Sequence, residues 1–173
     1  LETGGGVLNA KPYLEGSGQF LIHNVDIISD LDIRWMASQT RRDAMATLLV
    51  SDRVTSRYLL FDPDTMRLKG WTNVVTGEVR SPYPELDVTQ CRRLAFSGIH
   101  IMSDTVFAAL EDFVSREGLD PEHPRFPIMD FYLSACALYE IYGVEADGLH
   151  LVDVGKLDTL EIAEKEISRV SQN

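Results

Sequence analysis

Two aspartates that each close a short apolar run carry the most legible chemistry in this chain of 173 residues. Asp26 ends Phe20-Leu21-Ile22-His23-Asn24-Val25-Asp26, and Asp153 lies in Leu149-His150-Leu151-Val152-Asp153-Val154-Gly155. In an open α/β sheet, ligands bind in the crevice beyond the carboxyl ends of the strands, where such side chains point. Carboxylate oxygens suit a hard cation such as Mg²⁺, which shares its coordination with substrate phosphates. Ahead of the first run stands Glu2-Thr3-Gly4-Gly5-Gly6-Val7. As a glycine-rich turn it lets backbone N–H groups approach a base, ribose or phosphate with no Cβ in the way. Each feature also has a plainer reading. A glycine triplet serves as a flexible loop, and an aspartate after an apolar run serves as a turn former or helix cap. The two aspartates could share one metal if the fold brings their strands together.

The elements that must position these residues alternate between strand and helix patterns. Phe20 to Val25 has the continuous apolar character of a strand buried on both faces. Asp30-Leu31-Asp32 offers caps for a helix to about Arg41, with acids at its start and Arg41-Arg42 at its end. Ala46 to Val50 and Tyr58 to Phe61 read as strands, and turn signals at Asp62–Thr65 and Thr76–Glu78 make residues 58–80 a small β-meander. A strand follows at Arg93 to Met102, then a helix capped by Ser103 or Asp104, with Val106, Phe107, Leu110, Phe113 and Val114 at helical spacing and Gly118 to end it. Pro121 to Pro127 is a loop. The stripe Ile128, Phe131, Ala135, Leu138 and Tyr142 predicts a helix stopped by Gly143. After the Asp153 strand, Asp158 and Glu161 make a capping pair for a last helix marked by Leu160, Ala163, Ile167 and Val170. The alternation implies a single α/β domain over residues 1–173, with a mixed, mainly parallel sheet flanked by helices.

Bulk properties narrow the class of partner. A hydrophobic content of 45% and a mean hydropathy of -0.08 are those of an ordinary globular protein. The formal net charge is -11, and no basic cluster exceeds Arg41-Arg42 or Arg92-Arg93. A nucleic-acid backbone binder would need a basic face. Cys91 and Cys136 have no metal-ligand spacing and read as reduced thiols of a cytoplasmic protein. No apolar run approaches membrane-spanning length, and no signal peptide or initiating methionine is present.

Four segments, taken together and in order, resemble the sugar-1-phosphate nucleotidyltransferases (NDP-sugar pyrophosphorylases). They are most similar to the bacterial branch of mannose-1-phosphate guanylyltransferases and N-acetylmuramate-1-phosphate uridylyltransferases. The family's E-T-(G/A)-G-G-(I/V) reads here as Glu2 to Val7, and its apolar strand ending N-G-D reads as Asn24-Val25-Asp26. Its F-S-G-I strand is Phe96-Ser97-Gly98-Ile99, and its D-V-G-T-P is Asp153-Val154-Gly155-Lys156-Leu157. Three departures stand out: Val25 replaces a glycine, Lys156 and Leu157 replace threonine and proline, and the N-terminal G-x-G-T-R-L and P-K motifs are absent.

The resemblance implies a nucleotide-diphospho-sugar transferase-like, Rossmann-like fold lacking its N-terminal units, so that the chain is an incomplete piece of an enzyme. The implied reaction moves a nucleoside monophosphate from a nucleoside triphosphate to a sugar-1-phosphate, releases pyrophosphate and depends on Mg²⁺. It would serve NDP-sugar synthesis for cell-envelope polysaccharide. In that reading Asp26 and Asp153 hold the metal and are catalytic. Glu2, Thr3, Gly4, Gly5 and Gly6 bind the nucleotide, Asn24 meets a phosphate or sugar hydroxyl, and Gly98 gives the sugar room, although a glycine in a strand also marks a bulge. An incomplete sheet also exposes an edge strand on which a homo-oligomer can form. A fold-retaining module that binds or regulates without catalysis is the alternative, and a glycosyltransferase with a metal-binding aspartate is a third.

Other residues say less. Inside its apolar run His23 reads as a core histidine, and His100, His123 and His150 share no spacing that argues for zinc. Lys156, close to Asp153, could meet a phosphate or make a surface ion pair. Trp71 could stack on a sugar ring or simply pack. Ser97 lacks the G-x-S-x-G context of a nucleophile.

Overall fold

The computed structural model describes residues 1–154. Lys156, Leu157 and the helix expected beyond them lie outside the described residues. The chain runs α1 (Glu2–Asn9), α2 (Lys11–Leu14), β1 (Gln19–His23), β2 (Ile27–Ser29), α3 (Ile33–Gln39), β3 (Ala46–Ser51), β4 (Arg57–Phe61), β5 (Leu68–Asn73) and β6 (Val79–Arg80). It continues through β7 (Arg92–Ser103), α4 (Val106–Arg116), α5 (Ile128–Ala135), β8 (Ile141–Glu145) and β9 (Leu151–Asp153).

A mixed sheet forms the centre, in the order β6-β5-β4-β7-β3-β8, with β1 also paired to β7. β3 is buried from Ala46 to Val50, Thr47 included, because both of its faces are covered. Leu48 enters a core shared with Val7 of α1, Phe107 and Phe113 of α4, and Phe131 and Tyr132 of α5. Leu49 enters a second core on the other face with Met36 of α3, Ile99 and Ile101. Burying each such side chain contributes roughly 1.5–3 kcal/mol. β1 is only half-buried: Phe20 stacks on Phe107 with ring centroids 5.4 Å apart, while both ends of the strand are exposed. Among the described residues β1 pairs only with β7, so its other edge is open.

The sheet is mixed as expected, but the balance of strand directions differs from the mainly parallel sheet predicted. Among the described residues only β3 and β8 run parallel, and every other pairing is antiparallel. The reason is β7, twelve residues long, which serves β4 with its first part and β1 and β3 with the rest. The meander β4-β5-β6 forms as predicted and joins the central sheet through β7. The Asp153 strand lies in a separate two-stranded ladder with β2.

Three local expectations are corrected. The glycine-rich opening is the helix α1, not a turn. Three glycines cost a helix about 1 kcal/mol each relative to alanine, and tertiary contact overrides them: Gly4 N–H donates to Phe126 O at 3.1 Å. A Cβ on Gly4 would lie 2.3 Å from the Phe126 ring, and one on Gly5 would lie 2.0 Å from Pro124 O. Only glycines let α1 lie this close to the 124–126 segment.

The helix expected from Ile128 to Tyr142 stops at Ala135, and Ile141 and Tyr142 belong to β8. Gly143 is a strand residue rather than a helix stop; a Cβ there would meet the Phe61 ring at 2.9 Å. At α4 neither Ser103 nor Asp104 is the N-cap, which is Thr105. Asp104 instead accepts from Gly16 N and Gly18 N, both at 3.1 Å, and ties down the loop before β1. The other end of α4 is as expected. Leu119 N donates to Val114 O at 3.0 Å and Gly118 N to Ser115 O at 3.2 Å around a left-handed Gly118, the double closure of a Schellman motif. Asp32 caps α3, accepting from Arg34 N at 2.8 Å and Trp35 N at 3.3 Å.

Candidate functional site

Because α1 is helical, its residues divide between two faces. Gly4 and Gly5 turn to the 124–126 segment, while Glu2, Thr3, Gly6, Val7 and Ala10 line a cleft of about 530 Å³ with Ile22, His23, Asn24, Val25 and Asp26. Five residues predicted as functional therefore share this cleft: Glu2, Thr3, Gly6, Asn24 and Asp26. Gly4 and Gly5 have a packing role in α1 and are not among its lining. Gly6 has open space where a Cβ would stand, so that side of the cleft is free for a ligand. Glu2 takes a left-handed φ of 56°, and its carboxylate lies 3.7 Å from Arg125 Nε, both side chains being exposed.

Gly98 stands behind the cleft wall and controls Asn24. The β3–β7 register shifts between Leu48 and Val50, which pair with His100 and Phe96, so β7 bulges there, and Gly98 takes φ 74°. Its carbonyl accepts from Asn24 N at 3.0 Å. A Cβ on Gly98 would lie 2.9 Å from Asn24 Nδ2 and 3.2 Å from Ile27 Cγ1. The Asn24 carbonyl in turn accepts from Ile27 N at 3.2 Å. Val25, where the resemblance led to glycine, does not take a left-handed φ. The turn itself thus does not require glycine, and Val25 lies fully exposed on the rim.

The β2–β9 ladder brings the two aspartates onto neighbouring rungs. Ile27 is opposite Asp153, and Val154 N donates to Asp26 O at 2.8 Å. Alternation along a regular strand would send the side chains of neighbouring rungs to opposite faces. Asp26 belongs to the turn before β2, outside the ladder itself. Asp26 lines the cleft, whereas Asp153, half-buried on β9, is not among its lining residues. As a donor set, two carboxylates fit Mg²⁺, which is bound by one or two carboxylates plus substrate phosphates and water. Among the described residues no group of three or more histidine, cysteine, aspartate or glutamate side chains is arranged to hold a metal unaided. The cleft lining contains no lysine or arginine.

The histidines do not gather. His23 is not a core residue: it ends the half-buried strand β1, exposed on the rim of the cleft. His100 is the fully buried one. Its Nδ1 is hydrogen-bonded to the Tyr132 hydroxyl, Nε2 has no partner among the described residues, and burial pushes its pKa down to about 3. His150 N donates to Asp30 Oδ1 at 2.9 Å, and His123 lies in an exposed pair with Asp120. Ser97 is buried with its hydroxyl unpartnered among the described residues. Trp71 packs on the larger core with the Arg80 guanidinium 6.0 Å from its ring. No helix among the described residues is long and apolar enough to cross a membrane.

No protein-family model and no curated protein sequence matches the chain. Among solved structures it is similar to the inositol-1-phosphate CTP transferase from T. maritima, with a TM-score of 0.62 and 13% sequence identity. The similarity covers 95% of this chain and 62% of that one, so the chain spans less than two thirds of its structural neighbour. At that identity what is shared is the fold: the mixed α/β chain described above has a nucleotidyltransferase-like fold.

Proposed function

We propose that the chain forms part of a sugar-1-phosphate nucleotidyltransferase, which moves a nucleoside monophosphate from a nucleoside triphosphate to a sugar-1-phosphate and releases pyrophosphate. The observation that carries this reading is the joining of Glu2, Thr3, Gly6, Asn24 and Asp26 in one cleft, with Asp153 on the rung next to Asp26. The four motif matches favour the branch of mannose-1-phosphate guanylyltransferases and N-acetylmuramate-1-phosphate uridylyltransferases, acting in the cytoplasm to supply NDP-sugars for the cell envelope. The neighbour's inositol-1-phosphate widens the acceptors worth testing.

In this reaction an anionic phosphate oxygen of the sugar-1-phosphate attacks the α-phosphorus, and the bond to the pyrophosphate oxygen breaks. The nucleophile needs no deprotonation, so the protein's task is to align two anions in line. The Thr3 hydroxyl and the Asn24 amide orient the ligand, Gly6 leaves it space, and the Gly98 bulge holds Asn24. Asp26 and Asp153 would hold Mg²⁺, which when bound offsets phosphate charge.

The test is pyrophosphate release by the full-length protein with Mg²⁺. GTP, UTP, CTP, ATP and dTTP are offered against mannose-, glucose-, N-acetylglucosamine-, N-acetylmuramic acid- and inositol-1-phosphates. Turnover with one pair, lost in Asp26→Asn and in Asp153→Asn while both variants stay folded, supports the reading; a folded protein silent across the panel sinks it. The cleft's lack of a lysine or arginine favours a second reading, a fold-retaining binding module, for which the same panel shows nucleotide binding without release.

A further inference from the structure

His23 ends β1 at the mouth of the cleft with its ring held in one hydrogen-bonding state. Nδ1 lies 2.8 Å from the Asn24 backbone oxygen. A carbonyl oxygen only accepts, so Nδ1 carries the hydrogen, and the lone pair of the neutral ring is on Nε2. The anchor is itself fixed: the same oxygen accepts from Ile27 N, and Asn24 N donates to Gly98 O. Nε2 has no hydrogen-bond partner among the described residues.

The surroundings say what such an acceptor is suited to. The cleft is lined by the polar residues Glu2, Thr3, Asn24 and Asp26 together with the apolar Val7, Ala10 and Ile22. No lysine or arginine belongs to the lining; Arg125 reaches the Glu2 carboxylate from outside it, at 3.7 Å. A ring bearing several hydroxyls would find acceptors on more than one side and an apolar surface for its C–H face. We propose that the part of the substrate held in this cleft is a hydroxyl-bearing ring, ribose or sugar, and that His23 is a specificity-determining residue accepting a hydrogen bond at Nε2 from one of its hydroxyls. This rests on the proposed function only in taking the cleft as the substrate site.

The test uses the full-length protein with Mg²⁺ at about pH 8.5, where an ordinary imidazole is neutral. Long-range ¹H–¹⁵N spectra of the ring are expected to show the Nδ1–H form, with the Nε2 resonance moving when ligand is added. One arm titrates CTP and its 2′- and 3′-deoxy forms; the other titrates glucose-1-phosphate and its deoxy forms, so that a ribose source is told from a sugar source. In one arm the hydroxylated ligand should bind about 3–10-fold more tightly than one deoxy form. His23→Ala should erase that ratio, and His23→Gln, whose side-chain oxygen can accept, should restore part of it. An Nε2–H ring, no ligand-dependent change at Nε2, or an unchanged ratio in His23→Ala overturns the proposal. Pyrophosphate release separates the two ideas. Normal release with an unchanged ratio in His23→Ala sinks the role of His23 alone. A silent wild-type protein whose Nε2 still responds to hydroxylated ligand sinks the transferase reading alone.

Discussion

At Gly98 a single backbone angle sets the position of a candidate ligand residue. Its φ of 74° is strained for any residue with a Cβ, by roughly 1–2 kcal/mol, and that Cβ would also press on the Asn24 amide. Gly98→Ala should lower stability by about 1–3 kcal/mol in urea unfolding and weaken ligand binding in the folded fraction; unchanged stability would mean the bulge can relax. His100 makes a different kind of prediction. The folded ring resists protonation until about pH 3, whereas the unfolded ring titrates near 6.5, so the unfolded state binds more protons in between. The stability contributed by the neutral ring is complete above about pH 6.5 and is lost as pH falls towards 3, by up to about 1.4 kcal/mol per pH unit. Urea midpoints of wild type and His100→Gln between pH 7 and 5 should diverge in slope, with the wild type the steeper.

At the scale of the element, α1 allows neighbouring glycines to be tested against each other. Gly5→Ala adds a Cβ 2.0 Å from Pro124 O and should destabilise by about 1–3 kcal/mol despite the better helix propensity of alanine. Gly6→Ala adds one into open space and should stabilise by up to about 1 kcal/mol. Thermal unfolding of the two variants should therefore move in opposite directions. A shift of the same sign in both would mean that α1 does not pack on the 124–126 segment as described.

At the scale of the molecule, the balance of charge limits what these 173 residues do alone. The formal net charge is -11, and no cationic side chain lines the cleft. Nothing in that lining compensates a triphosphate beyond what a metal supplies. On the proposed function, the 173-residue chain by itself should release no pyrophosphate with the pair that the full-length protein turns over. Robust turnover by the isolated chain would show that groups within these 173 residues suffice to hold the triphosphate.

Local interactions were legible in the residues themselves. The Asp32 cap, the Gly118 stop and the apolar faces of β3 and α4 follow from preferences that act over a few positions. Asp26 and Asp153 stood out as candidates in the same local way, because each closes an apolar run. Partners distant in sequence decided the rest. Glycines 4 to 6 read as a turn because nothing in their own segment shows residues 124–126 arriving against them. Gly143 read as a helix stop because its close neighbour, Phe61, is far away in the chain. His23 read as core because an apolar run does not say where a strand leaves the sheet. The pairing of β2 with β9, which puts Asp26 beside Asp153, joins segments more than a hundred residues apart. The sequence determined which residues are fit to cap, turn, pack or ligate; tertiary structure decided which of them meet, because contact between distant segments depends on packing that no local pattern encodes.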